Sequence, residues 1–274
     1  METLISIFLG IFQGITEFFP VSSSGHLAFF QKLFGTTLKL TKAETHLYNV
    51  MVHFATVLAV ILVFKNTLIN LIKSLFVKEE YKDIKAKNNI WLIVLIITAT
   101  IPTGIIGILG RKFFIKMEDN LLFIGMMFFV TAVFLIVGSR FKSEEKNEYK
   151  KIGIIRALII GIVQGIAVSP GISRSGSTIS TARMLNISRE KAGEFSFLMS
   201  IPAILGAMLL EMIKSGITTA GVHIFIAGFL SAFIAGYFSL KFLLIFIRKG
   251  KLYWFAYYVA LMGIISIVLH WRGL

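Results

Sequence analysis

The chain has 274 residues, 56% of them hydrophobic and only 15% charged, and a mean hydropathy of +0.83, values that exclude an ordinary soluble domain. Cysteine is absent, which excludes disulfides, thiolate catalysis and cysteine-ligated metals. The formal net charge is +14, yet the basic residues cluster in short segments between apolar runs (65–87, 140–151 and 248–251), so they read as cytoplasmic loops and not as a nucleic-acid surface.

Taken in chain order, the N-terminus reads METLISIFLG. With Glu2 and without a basic n-region or a small-residue cleavage site, it is expected to remain in the mature protein as a first helix. Next comes GITEFFPVSSSGHL (14–27), where Pro20 and Ser22 to Gly25 supply a missing donor, permissive torsions and short hydroxyls, predicting a helix break. Apolar runs at about 47–64, 90–109 and 120–139 then match the ~20 residues a bilayer requires. A second break is predicted at Pro170-Gly171 and Ser173 to Gly176, and further runs follow at about 195–213, 221–247 and 252–270.

GIFQGITEFFPVSSSG (10–25) lies without gaps over GIVQGIAVSPGISRSG (161–176), with eight of sixteen positions identical, so the chain reads as duplicated. With the basic segments inside, residues 1–46 start and finish outside, while 153–190 start and finish inside. Each is therefore predicted to be a re-entrant hairpin. Three crossings per half, an odd number, turn the second copy upside down. Arg111, Lys112 and Lys116 then fall outside, a modest departure from the charge rule. The predicted fold is an all-α integral membrane protein, a single membrane domain built as an inverted repeat (about 1–140 and 152–274). It has about six transmembrane helices and two re-entrant hairpins. The small-residue pairs Gly10/Gly14 and Gly161/Gly165 are expected to let the hairpins approach each other closely.

Glu17 follows Gln13 by four residues on one helical face, and a carboxylate at such depth costs about 2.5–3.5 kcal/mol on insertion scales, which favours a functional role over a merely structural one. His26, next to the predicted turn, is expected to face the same cavity, whereas His46, His53, His223 and His270 are read as structural. In the second copy Arg174 stands between Ser173 and Ser175, followed by Gly176 and Thr178. A guanidinium fork beside hydroxyls and glycine-spaced amides suits phosphate oxygens. The plainer alternative is that Arg174 only neutralises Glu17. No GxxxxGK[ST] loop is present.

Here the sequence resembles the bacterial undecaprenyl-diphosphatase family, also called the bacitracin-resistance BacA family. The resemblance rests on a first motif [E/Q]xxxE, here Gln13 to Glu17 followed by FFPVSSSGH, and a second motif PGxSRSxxT, here Pro170 to Thr178. SREKAGEFSFLMSIPA (188–203) is similar to the stretch that follows the family's second motif. Gln13 stands where many members carry glutamate.

The resemblance implies hydrolysis of undecaprenyl diphosphate to undecaprenyl phosphate and inorganic phosphate, recycling the lipid carrier for envelope polymers. The expected place is the bacterial cytoplasmic (inner) membrane, with the site facing the outer side. It further implies that Arg174 binds the diphosphate with Ser173, Ser175, Thr178 and Gln13. Glu17 would act as base or hold a divalent cation (Mg2+ or Ca2+), His26 would relay a proton, and Ser23 or water would be the nucleophile. The expected partner is the polyprenyl diphosphate lipid in the membrane, with a homodimer as the expected assembly and no nucleic acid. The alternative is a transporter or flippase of an anionic polyprenyl phosphate lipid.

Overall fold

The computed structural model describes residues 2–33, 40–77, 84–141, 149, 152–215 and 221–273. Helices α1 (Glu2–Phe18) and α2 (Ser23–Leu33) form the first hairpin, and α7 (Ile154–Ile166) and α8 (Arg174–Met184) the second. Between them run α3 (Lys42–Val63), α4 (Lys65–Phe76), α5 (Ile84–Met117) and α6 (Leu121–Arg140). After the second hairpin come α9 (Arg189–Ser215), α10 (Val222–Lys249) and α11 (Trp254–Trp271).

Length separates the two kinds of helix. The 11 residues of α2 and of α8 extend roughly 16 Å, about half of a ~30 Å hydrocarbon core. Five helices are long and apolar enough to cross a bilayer: α5, α6, α10, α11 and the Arg189–Leu210 part of α9. A sixth span is α3 from Leu47, if the bent pair it forms with α4 is counted as one crossing. Large apolar side chains such as Phe8, Ile105, Ile155, Phe238 and Leu261 face outward, as a lipid solvent permits.

The segment read as a loop from residue 65 is in fact helical to Phe76. α4 leaves α3 at a 75° bend. Its Leu71 and Ser74 are buried, Ser74 Oγ accepting from Asn89 Nδ2 of α5 at 2.9 Å, while Ile69, Ile72, Leu75 and Phe76 are exposed. An amphipathic pattern this short cannot span, so it turns aside and lies on α5.

The packing is reciprocal between the halves. α1 packs along α10, α7 packs along α5, and α6 and α11 pair with each other. The expectation that the small-residue pairs bring hairpin to hairpin is corrected here. A Cβ on Gly10 would lie 2.3 Å from the Gly228 carbonyl oxygen, and one on Gly14 2.6 Å from that of Ala232, both on α10. A Cβ on Gly161 would lie 2.1 Å from the Ala99 carbonyl oxygen, and one on Gly165 2.8 Å from Ile106, both on α5. Thus each hairpin is sunk into a long helix of the other half. Polar contacts reinforce this, Ser6 Oγ donating to the Ile224 carbonyl at 2.6 Å and Thr103 Oγ1 to the Gly161 carbonyl at 2.8 Å.

Candidate active site

Helix α1 carries Gln13 and Glu17 one turn apart and stops at Phe18, two residues before Pro20. Ser22 then takes a left-handed backbone, φ 68°, before α2 starts at Ser23. In the second hairpin the left-handed turn is at Gly171, φ 92°, where a Cβ would lie 2.6 Å from the Ile124 carbonyl oxygen, so only glycine fits. Ser173 caps α8, its Oγ accepting from Gly176 N at 3.1 Å, and Arg174 is the first helical residue.

The hairpins meet at their tips. A Cβ on Gly25 would lie 2.8 Å from Gly171 Cα, and Ser175 Oγ donates to the Phe18 carbonyl at 2.9 Å. Thr131 of α6 fastens the second tip, donating to the Gly171 carbonyl at 2.9 Å and accepting from Ser173 N at 2.9 Å. This contact brings together the N-termini of α2 and α8, whose unsatisfied N–H groups and dipoles favour an anion.

Glu17 is the hub. Arg174 Nη2 donates to its Oε1 at 2.7 Å, while Gln13 Nε2 and Ser23 Oγ donate to its Oε2 at 2.9 and 2.7 Å. All four residues are largely buried, and two polar atoms of theirs have no partner among the described residues: Arg174 Nη1 and Gln13 Oε1. A buried unpaired donor or acceptor costs about 1–3 kcal/mol. An anion beside Arg174 would remove that cost.

Against the structural role its sequence context predicts, His53 Nε2 is 3.5 Å from Glu17 Oε2. Its Nδ1 donates to the Asn49 carbonyl at 2.7 Å, so the approach to the carboxylate becomes attractive when Nε2 also carries a proton. Nothing near His53 in sequence marks it, because NVMVHFATV is an ordinary stretch of a spanning helix.

His26 lies in the first turn of α2. None of its hydrogen bonds reaches Glu17, Ser23 or Arg174. Its Nδ1 donates to the Ser22 carbonyl at 2.9 Å, its Nε2 lies 2.9 Å from Tyr258 Oη of α11, and Phe128 packs edge-on to its ring. The remaining predicted hydroxyls build the second hairpin. Thr178 Oγ1 donates to the Arg174 carbonyl at 2.7 Å and shares a hydrogen bond with Ser196 Oγ at 2.6 Å, and Ser173 and Ser175 are held as described above. The side chain of His46 lies outside the described residues; His223 is exposed and His270 partly so.

Among the described residues no three Asp, Glu, His or Cys side chains converge on a point that could hold a metal ion. A cage made only of protein ligands is therefore not what these residues offer. One carboxylate with the free Gln13 oxygen suits a cation that keeps most of its ligands from phosphate and water.

A family model described as "Bacitracin resistance protein BacA" matches residues 6–265. The chain is 38% identical to an undecaprenyl-diphosphatase of Carboxydothermus hydrogenoformans over 278 residues, covering 100% of this chain and 99% of the relative. It is 41% identical to one of Halothermothrix orenii (98% of each chain) and 42% identical to one of Treponema denticola (99% and 98%).

Proposed function

The chain belongs to the bacitracin resistance protein BacA family, and from that premise we propose that it hydrolyses undecaprenyl diphosphate to undecaprenyl phosphate and inorganic phosphate. The observation that carries this reading is the Glu17 carboxylate, which accepts from both Ser23 Oγ and Arg174 while Arg174 Nη1 stays unpartnered. A serine hydroxyl aimed at a carboxylate, beside a guanidinium with a free donor, is the equipment for attack on a phosphoryl group.

In this reading the terminal phosphate lies at the meeting helix N-termini, where Arg174 Nη1 takes one of its oxygens. Ser23 Oγ attacks phosphorus as Glu17 Oε2 takes its proton. The bond to the bridging oxygen breaks, undecaprenyl phosphate leaves, and water then cleaves the phosphoserine. Arg174 holds the charge that spreads over the equatorial oxygens. Glu17 and Gln13 are the residues that would hold a divalent cation, Mg2+ or Ca2+, together with the diphosphate; such a cation neutralises phosphate charge.

The reading further assigns the multi-pass chain to the bacterial cytoplasmic membrane, with the site open to the outer side and residues 1–140 and 152–274 as the two repeats. A homodimer is the expected assembly, checked by the mass of the solubilised protein. The transporter alternative draws no support beyond the repeat itself.

The test is phosphate release from undecaprenyl diphosphate by the purified protein, with and without Mg2+ or Ca2+, beside Glu17→Ala and Arg174→Ala. Release that either substitution reduces by at least 10²-fold is expected. A folded wild-type protein that releases none, with either cation, would overturn the reading.

A further inference from the structure

We propose that Tyr258 is a positioning residue for Ser23, acting through His26 on the Ser22 carbonyl. The inference rests on the reading of Ser23 as nucleophile given above.

Ser22 is one of two non-glycine residues with positive φ among the described residues, the other being Asn186. Asparagine tolerates that region through its short amide side chain, whereas for other L-residues it is strained and lasts only where neighbours hold it. At Ser22 the holding is visible. His26 donates to its carbonyl twice, from the backbone N at 3.2 Å and from Nδ1 at 2.9 Å, and Gly25 N donates to its Oγ at 3.3 Å. This turn sets where α2 starts, and hence where Ser23 Oγ points.

A carbonyl can only accept, so Nδ1 must carry the proton. In the neutral ring Nε2 must then accept, and Tyr258 O–H is the donor that faces it at 2.9 Å. The ring is fully buried and packed against Phe12, Phe128 and Tyr258. The Ser22 carbonyl thus sets the tautomer of His26, and Tyr258 complements it and holds the ring's orientation. Without the hydroxyl, Nε2 is an unsatisfied buried acceptor, and the ring loses the contact that holds it turned toward the Ser22 carbonyl.

The device also has a place in the architecture. Tyr258 is on α11, and α11 pairs with α6, whose Thr131 fastens the turn before Arg174. One helix pair thus holds the nucleophile's turn through Tyr258 and the arginine's turn through Thr131. Tyr258 itself bonds to none of Glu17, Ser23 and Arg174.

The experiment compares kcat and KM for phosphate release by the full-length chain and by Tyr258→Phe, His26→Asn, the double variant and Tyr257→Phe, a neighbouring exposed hydroxyl. We expect Tyr258→Phe to lower kcat at least tenfold with KM within twofold, and to add less than twofold to the loss in His26→Asn. Tyr257→Phe should be unchanged. A wild-type kcat in Tyr258→Phe, a change confined to KM, or losses that multiply in the double variant would each overturn the proposal. A loss of kcat matched by an equal loss of folded protein on size exclusion would also overturn it, making Tyr258 a packing residue. A wild-type chain that releases no phosphate would instead fail the functional reading.

Discussion

Arg174 and Glu17 illustrate how a buried pair can serve a site. Their hydrogen bond at 2.7 Å keeps both charges compensated without a ligand, but it uses one arm of the fork and leaves Nη1 free. Arg174→Lys keeps the charge and loses the second donor direction, so kcat should fall roughly 10²- to 10³-fold; near-normal turnover would show that the fork is not needed. Ser23→Ala should abolish release if Ser23 attacks phosphorus, whereas a residual rate within tenfold of wild type would assign the attack to water. His53→Gln is expected to lower kcat by at least tenfold, because it removes the imidazole 3.5 Å from the carboxylate that takes the serine proton. An unchanged kcat would return His53 to the structural role its sequence context suggested.

At the scale of elements, the helical glycines matter through what they pack against. Gly161 presses against the Ala99 carbonyl of α5, whereas Gly104, on the same α5, has open space where its Cβ would be. Gly161→Ala should therefore destabilise the α5–α7 contact by about 1–3 kcal/mol. Gly104→Ala should be neutral or stabilise by up to about 1 kcal/mol. Thermal unfolding in one detergent reads both, and equal midpoints for the two variants would contradict the packing described. The repeat in the sequence makes Gly161 and its counterpart Gly10 visible, but not their partners. Small residues announce a close approach without saying which helix approaches.

Over the whole molecule, α1 runs parallel to α10 (Gly10 at Gly228, Gly14 at Ala232) and α7 parallel to α5 (Gly161 at Ala99, Gly165 at Ile106), so the hairpins enter from opposite sides if α5 and α10 cross the membrane in opposite directions. Because the chain has no cysteine, single cysteines can report sidedness without background. Lys78 and Lys146, in the basic segments expected inside, fall outside the described residues. Lys116 near the end of α5 and Lys249 near the end of α10 are described and exposed. Lys116→Cys should be labelled only from the outer face and Lys249→Cys only from the cytoplasm. Labelling of both from one face would overturn the inverted arrangement.

Hydropathy, the repeated GI-x-QGI pattern and the two serine-rich breaks are enough for a membrane fold, its six long apolar runs, its two interrupted hairpins and the choice of Glu17 and Arg174 as candidates, whereas Ser23 enters only through the family resemblance. These are local properties, set by the length of an apolar run, by a proline that cannot donate and by a charge too costly to leave at depth without purpose. Long-range packing alone sets that the small-residue faces fit the long helices of the opposite half, that residues 65–76 fold as a helix, that His53 meets Glu17 and that His26 turns to Tyr258. Each of these joins side chains or backbones far apart in the chain. A histidine on an apolar helix has the same sequence context whether it faces a carboxylate, a tyrosine or a carbonyl, and packing selects among them.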